Sequence, residues 1–213
     1  LKDELSTIVK SGRENFGKSF LSYELGTYFQ SIGDYNAAME EYILNLLNEK
    51  SYNGIIERRI LLMSDEEDAI PIIENKLLKA SKLDPNQILN TLSEFYFKQQ
   101  EYDLSFKTKK EWTNKGNKNF NDWLKFANDL RNEKEYQYAM DAYYFVLSYK
   151  LNSKLTERAL LGLGQIFDDQ ITSQKAKNLI PYFYDNNIFF KDPFQVYSSI
   201  SNEHLESSLN LYD

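Results

Sequence analysis

One internal spacing constrains the fold of this chain more than any other feature of its sequence. In four segments a small residue is followed 12 positions later by a second small residue: Gly26 and Ala38, Ser93 and Ser105, Ala127 and Ala139, and Gly164 and Ala176. When two antiparallel helices each carry a small residue at their contact, the backbones approach closely and large neighbours fill the groove between them. The spacing therefore predicts helix hairpins.

The residues around these small pairs also repeat. The copies read Ser22-x2-Leu25-Gly26-x2-Phe29, Leu89-x2-Leu92-Ser93-x2-Tyr96, Trp123-x2-Phe126-Ala127-x2-Leu130 and Leu160-x2-Leu163-Gly164-x2-Phe167. In two copies a tyrosine stands four positions after the second small residue, as Ala38-x3-Tyr42 and Ala139-x3-Tyr143. Lys109 stands at this position in the copy that begins at Leu89.

This pattern resembles the tetratricopeptide repeat family, in which such residues recur about every 34 positions. The resemblance covers about residues 19 to 190, and it implies an all-α fold: a right-handed α-solenoid of antiparallel helix hairpins. The spacing of 67 residues between Gly26 and Ser93 is nearly two periods. We therefore expect one more hairpin there, with helices over Ser51 to Met63 and Glu66 to Leu83, broken near Ser64 to Asp68 and stopped by Asp84-Pro85.

The resulting domain organisation has three parts. Residues 1–18 form a helix that ends a preceding repeat, residues 19–190 form an array of about five hairpins, and residues 191–213 form a C-terminal helix. In the last hairpin we expect Asp168-Asp169 to lie in the turn between the two helices. We also expect the chain to be a segment of a longer protein.

Composition argues against several classes of function. The formal net charge of −7 would repel a phosphate backbone, so we do not expect nucleic acid as a partner. The basic run from Lys107 to Lys110 is interpreted as a solvated helix face, with a local docking patch as the alternative. No apolar run approaches the ~18 residues that would span a bilayer. Cys is absent, which excludes disulfides and thiolate sites and leaves localisation open.

The sequence contains no pattern that predicts catalysis, a metal or another cofactor. His204 is the only histidine, and no nearby spacing supplies the further ligands that a metal site needs. The acidic run from Asp65 to Asp68 could bind a cation, but we interpret it as the first turn of a helix that Ser64 or Asp65 caps. We therefore expect a binding protein and not an enzyme.

The resemblance also implies a binding surface, because in this family the first helix of each hairpin lines a concave groove. The groove residues that the repeat alignment selects are Phe20, Tyr23, Thr27, Gln30, Asn90, Glu94, Phe97, Asn121, Leu124, Asn128, Arg131, Leu161 and Gln165. Aromatic and amide side chains suit an extended peptide, whose backbone needs hydrogen bonds and whose apolar groups need a platform.

The function predicted from these residues is a protein-interaction scaffold or adaptor that binds a peptide or a partner domain. Three alternatives remain open at this point. The surface could merely pack against the next domain, the solenoid ends could self-associate, or the chain could be an accessory domain of a glycan- or peptidoglycan-acting envelope protein. The resemblance also implies a bacterial source, since degenerate arrays of this kind are common in bacterial assembly and envelope proteins. The abundance of Asn, Lys, Ile and Tyr suits an AT-rich genome.

Overall fold

The structure is a computed structural model that describes residues 2–49, 53–116, 118–149 and 151–186, with side chains from residue 7 to residue 170 within those ranges. All regular structure in the described residues is helical, with ten α-helices and one short 3₁₀ turn. The expected C-terminal helix 191–213 and His204 lie outside the described residues. No helix among those described is long and apolar enough to cross a bilayer.

The chain divides into two compact units, Leu1–Lys118 and Asn119–Asp213. The helices of the first unit are α1 (Lys2–Phe16), α2 (Ser22–Ser31), α3 (Tyr35–Asn48), α4 (Asn53–Met63), α5 (Ile70–Ser81), α6 (Pro85–Lys98) and α7 (Tyr102–Asn114). Those of the second are α8 (Phe120–Asn132), α9 (Tyr136–Leu147) and α10 (Ser153–Asn186). The helices α2, α4, α6 and α8 are the first helices of four hairpins, and α3, α5, α7 and α9 are the second helices.

Three of the hairpin turns have the same backbone conformation at one position. The residue seven positions after the small residue adopts a left-handed conformation, with φ of 76° at Gly33, 62° at Gln100 and 65° at Lys134. An acidic residue follows each of them and begins the second helix. In the first turn, Asp34 accepts a hydrogen bond from the backbone N–H of Ala37 and so caps α3.

In three of the four copies the small residues lie at the contact between two helices, which confirms the hairpins predicted at Gly26/Ala38, Ser93/Ser105 and Ala127/Ala139. In the α6/α7 hairpin the Ser93 hydroxyl donates to the backbone oxygen of Ser105 at 2.9 Å, and the Ser105 hydroxyl donates to that of Ser93 at 2.8 Å. In the α8/α9 hairpin Ala127 and Ala139 are both fully buried. Each pair brings two helix backbones close together.

At Gly26 the absence of a side chain leaves room for the ring of Tyr42 from α3. A Cβ atom at this position would lie 2.5 Å from the ring of Tyr42, which is fully buried and whose hydroxyl donates to Gln30 at 2.6 Å. We expect Gly26→Ala to destabilise the protein by about 1–3 kcal/mol despite the better helix propensity of alanine, because the ring cannot move away. Urea denaturation measures the loss.

Gly54 supplies the matched control, because it lies in α4 and no atom is within 4 Å of the Cβ position. Gly54→Ala is expected to be neutral or to stabilise by up to about 1 kcal/mol. Equal effects at the two glycines would show that the Gly26 contact is not close in solution.

The additional hairpin predicted between residues 51 and 83 is confirmed as two helices, α4 and α5, with a break that includes the short 3₁₀ turn Glu67–Ala69. The two backbones do not approach each other along their length as those of α2 and α3 do. The reason is residue size, because Ile60 is fully buried where the other first helices carry a small residue. The side chains still belong to one hydrophobic core.

The predicted capping role of Ser64 or Asp65 is wrong. Ser64 donates to the backbone oxygen of Leu61, Asp65 forms an ion pair with Lys98 at 2.7 Å, and Ala69 precedes α5 without a side-chain cap. The stop at Asp84-Pro85 is confirmed, because the Asp84 carboxylate accepts from two backbone N–H groups at the start of α6.

The last predicted hairpin is also wrong, because α10 runs without a turn from Ser153 to Asn186. Asp168-Asp169 therefore lies inside a helix. The sequence explains the difference: Ile171 stands seven positions after Gly164, where the other copies adopt positive φ, and a β-branched residue strongly disfavours that conformation. The described residues contain four hairpins where we expected about five.

Successive hairpins within a unit are joined by hydrogen bonds between residues that stand one repeat, 34 positions, apart. In the first unit the side chain of Asn53 donates to Gln87 at 3.1 Å, and Thr91 donates to Glu57 at 3.1 Å, each pair 34 residues apart. A salt bridge of 2.7 Å from Lys76 to Glu40 joins two second helices, α5 and α3. The predicted fold class is thereby confirmed: an all-α protein of helix hairpins that pack in sequence, as in a solenoid.

Candidate functional site

The first-helix face of the second unit brings together several of the predicted groove residues. The Asn121 side-chain oxygen accepts from the Arg158 guanidinium at 2.8 Å. Arg131 donates to Gln165 and forms an ion pair with Asp169 at 2.9 Å. These bonds connect α8 to α10, so Asn121, Arg131 and Gln165 hold two helices together as well as contributing to a surface.

Asn128 also lies on α8, but its bond is to the second helix of its own hairpin. It is exposed, and its side-chain oxygen accepts from the Tyr143 hydroxyl at 2.6 Å. Burial raises the pKa of Tyr143, with the nearby Arg131 opposing the shift. The phenol therefore stays protonated and keeps this bond at neutral pH.

Two of the predicted groove residues do not lie on an open surface of a first helix. Leu124 is 1% exposed and belongs to the core of the second unit, because it faces inward with Trp123 on α8. Phe20 precedes α2, stacks on Phe16 at 5.3 Å and covers Gly12 of α1. The predicted placement of Leu124 and Phe20 on an open first-helix surface is therefore wrong, whereas Leu161 is 48% exposed on α10.

The predicted residues of α2 are half-buried and bonded within their own hairpin. The Thr27 hydroxyl donates to the backbone oxygen of Tyr23 at 2.9 Å. Gln30 accepts from the Tyr42 hydroxyl, which fixes its amide against α3. Their outer atoms contribute to the first-helix face, and the inner atoms stabilise the hairpin.

The predicted residues of α6 surround an unexpected buried cation. Lys109 is 1% exposed, and its ammonium lies 3.4 Å from the Asn90 side-chain oxygen and 3.6 Å from a Glu94 carboxylate oxygen. It also lies 5.8 Å from the centre of the Trp112 ring. Phe97, the third predicted residue, packs edge-on against Tyr102 at 5.5 Å. The interpretation of Lys107 to Lys110 as a solvated face is therefore wrong for Lys109.

Glu57 of α4 belongs to the same cluster, although sequence reasoning missed it. Burial raises the pKa of its carboxyl, the Thr91 hydrogen bond and Lys109 lower it in part, and Glu94 raises it further. The cluster thus places two carboxylates and one ammonium between three helices. Its signal in the sequence is the replacement of the expected aromatic residue by Lys109.

The raised pKa of Glu57 predicts a pH-dependent effect of Glu57→Gln. Because the folded state binds the Glu57 proton more tightly than the unfolded state, protonation of this carboxyl stabilises the wild-type protein. This stabilisation is complete below the pKa of the unfolded state and is lost as pH rises through the raised pKa of the folded state. Glutamine does not titrate and can still accept the Thr91 hydrogen bond. We therefore expect the stability of the variant, relative to wild type, to increase between about pH 4 and pH 7. Urea denaturation at both pH values checks this, and a pH-independent difference contradicts it.

Sequence reasoning also missed two exposed apolar residues that the repeat relates to each other. Tyr28 on α2 is 50% exposed and Leu62 on α4 is 54% exposed, and 34 residues separate them. Both stand two positions after the place of the small residue in a first helix. That position is the signal that could have found them.

The described side chains include no group of three histidine, aspartate or glutamate residues placed to hold a metal ion. The shifted pKa values of Glu57 and Tyr143 have structural causes in helix packing and hydrogen bonding. The geometry thus defines a helical-repeat protein whose first helices present a mixed polar and aromatic face.

A family comparison gives the class a narrower description. Residues 8–150, about two thirds of the chain, match the family model for ChAPs, the Chs5p-Arf1p-binding proteins. The chain belongs to this family. The matched region extends from α1 to the end of α9, and the model is not one of tetratricopeptide repeats. No curated protein matches the chain.

Proposed function

We propose that this chain is an adaptor that binds protein partners through the first-helix faces of its hairpins, and that counterparts of Chs5p and Arf1p are among those partners. The observation that carries the proposal is the family match over residues 8–150, since the family is described by the two proteins that its members bind. The architecture supports it, because helix hairpins packed in sequence present extended side-chain surfaces.

The first unit offers the best part of this surface for a partner. Tyr28 and Leu62 are large apolar residues, each about half exposed, on neighbouring first helices. The phenol of Tyr28 also carries a hydroxyl group that can donate and accept hydrogen bonds. Aromatic residues with adjacent hydrogen-bonding groups are frequent at the centres of protein interfaces. No observation favours the glycan-binding alternative or a bacterial envelope role.

Tyr28→Glu tests the proposed surface. We expect this change to weaken binding of the partner about tenfold or more, because it places a charge in an apolar contact. Tyr144→Glu is the matched control, since Tyr144 is 54% exposed but lies on a second helix, α9. Its expected effect on affinity is less than about twofold.

The measurement is a calorimetric titration of wild type and both variants with the Chs5p and Arf1p proteins of the encoding organism. Circular dichroism shows that each variant is folded. An unchanged affinity for Tyr28→Glu, or an equal loss in Tyr144→Glu, would reject the first-helix face as the binding surface.

A further inference from the structure

A cleft of about 550 Å³ opens in the first unit between α5 and α7, with α6 as its floor. This volume lies within the range of about 300–1,000 Å³ that ligand sites occupy. Leu89 and Leu92 of α6 form the floor and are nearly fully buried. Leu78 of α5 and Leu104 of α7 form the walls and are 40% and 39% exposed.

The cleft lies between α5 and α7, the second helices of successive hairpins. In a regular stack of hairpins such helices pack against each other. The second helices α3 and α5 do make such a contact, but the backbones of α5 and α7 do not approach each other. The side of α7 that faces the gap carries Lys107 and Thr108, whose polar groups would lose water in a close helix contact. The leucines of the walls are thereby left accessible to an apolar group from outside.

The charges around the cleft are uneven. Three lysines and one glutamate line it, whereas the whole chain has a net charge of −7. Lys107 pairs with Asp103 at 2.6 Å, and Tyr96, near the other end of α6, donates to Glu74 at 3.1 Å. The other two lysines of the lining, Lys82 and Lys115, form no ion pair with the residues that the structure describes.

Lys82 and Lys115 lie at the same end of the cleft. Lys82 directly follows α5, and Lys115 directly follows α7, while Pro85 at this end begins α6. Glu111, one turn before Lys115, is the one acidic residue in the lining. The cleft is therefore apolar along its floor and walls, and at the Pro85 end its lining has two lysines and one glutamate. The Asp84 carboxylate at this end is engaged in capping α6.

We propose that this cleft binds a short segment of a protein partner that combines leucine-like side chains with acidic residues. The apolar side chains pack between Leu78 and Leu104, where burial of apolar surface contributes roughly 25 cal/mol per Å². The acidic residues lie beside Lys82 and Lys115, whose charges favour an acidic over a basic segment. This inference rests on the adaptor function proposed above and adds a second surface, on the second helices.

The test uses two fluorescein-labelled peptides with the same leucines, one with glutamates and the other with lysines at the remaining positions. Fluorescence anisotropy measures their affinity for the whole chain. We expect the acidic peptide to bind at least about tenfold more tightly than the basic one. Equal affinities, or no binding of the acidic peptide, would overturn the proposal.

Matched charge reversals locate the binding. The double variant Lys82→Glu/Lys115→Glu is expected to lose about tenfold in affinity for the acidic peptide. The control Lys18→Glu/Lys154→Glu changes the net charge equally at exposed lysines outside the cleft, and we expect a loss of less than about twofold. Equal losses in the two variants would show a nonspecific charge effect and reject the site.

A third variant tests the apolar wall. Leu104→Ser is expected to weaken binding of the acidic peptide about tenfold, with the helical circular dichroism of wild type retained. Unchanged affinity would reject the cleft. If Chs5p or Arf1p binds wild type while the acidic peptide does not, the cleft proposal fails and the adaptor function stands. If neither protein binds, the adaptor function fails.

Discussion

Trp123→Ala is expected to destabilise the protein by about 3–5 kcal/mol, the largest single effect that the structure predicts. Trp123 is fully buried in the second unit, its ring centre lies 4.3 Å from that of Phe145, and it meets Phe126 edge-on at 5.8 Å. Alanine removes these contacts and leaves a cavity between α8 and α9 that the closely packed Ala127 and Ala139 prevent from collapsing.

Urea denaturation followed by circular dichroism measures the effect of Trp123→Ala. The control is Tyr144→Ala, which removes an aromatic ring that is 54% exposed in the same hairpin and is expected to cost within about 0.5 kcal/mol. Similar losses for the two variants would show that Trp123 does not lie in a packed core.

Lys109→Ala is expected to destabilise the first unit by about 2–4 kcal/mol. The change deletes a fully buried side chain, and it removes the cation beside the carboxylates of Glu94 and Glu57. Lys107→Ala is the control, because the Lys107 side chain is 68% exposed in its ion pair with Asp103. Its expected cost is below about 1 kcal/mol.

A second substitution separates packing from charge at this position. Lys109→Tyr restores the residue found at the equivalent positions, Tyr42 and Tyr143. Its hydroxyl would lie near Glu94, which corresponds to the Asn128 that accepts from Tyr143. We expect a smaller loss of stability than for alanine, and a loss as large as that of alanine would contradict the predicted equivalence of these positions.

The fold could be predicted from the sequence where small residues determine helix contact. Gly26, Ser93 and Ala127 each identified a hairpin, because few residue types permit two helix backbones to approach so closely. Where the contact lacks a small residue, as at Ile60, the helices were predicted but not the distance between them. The spacing alone also predicted a hairpin at Gly164 and Ala176 that does not form. These two small residues are 12 positions apart as in the other copies, but Ile171 between them disfavours the left-handed turn.

The candidate surface could be predicted only in part, because some of its side chains form hydrogen bonds with residues of a neighbouring repeat. Arg131 and Gln165 look like independent surface residues in the sequence, yet they join neighbouring helices. Leu124 falls on the predicted face by alignment, but its apolar side chain is 1% exposed in the second unit, where α8 contacts both α9 and α10. The cleft beside α7 depends on the position of a whole helix, which no local pattern encodes.

The most direct test of the central claim is a calorimetric titration of the whole chain with the Chs5p and Arf1p proteins of the organism that encodes it. An adaptor of this family is expected to give saturable binding with a defined stoichiometry to at least one of them, and Tyr28→Glu should weaken that binding. If a chain with the expected helical spectrum shows no saturable binding to either protein, the result would contradict the account.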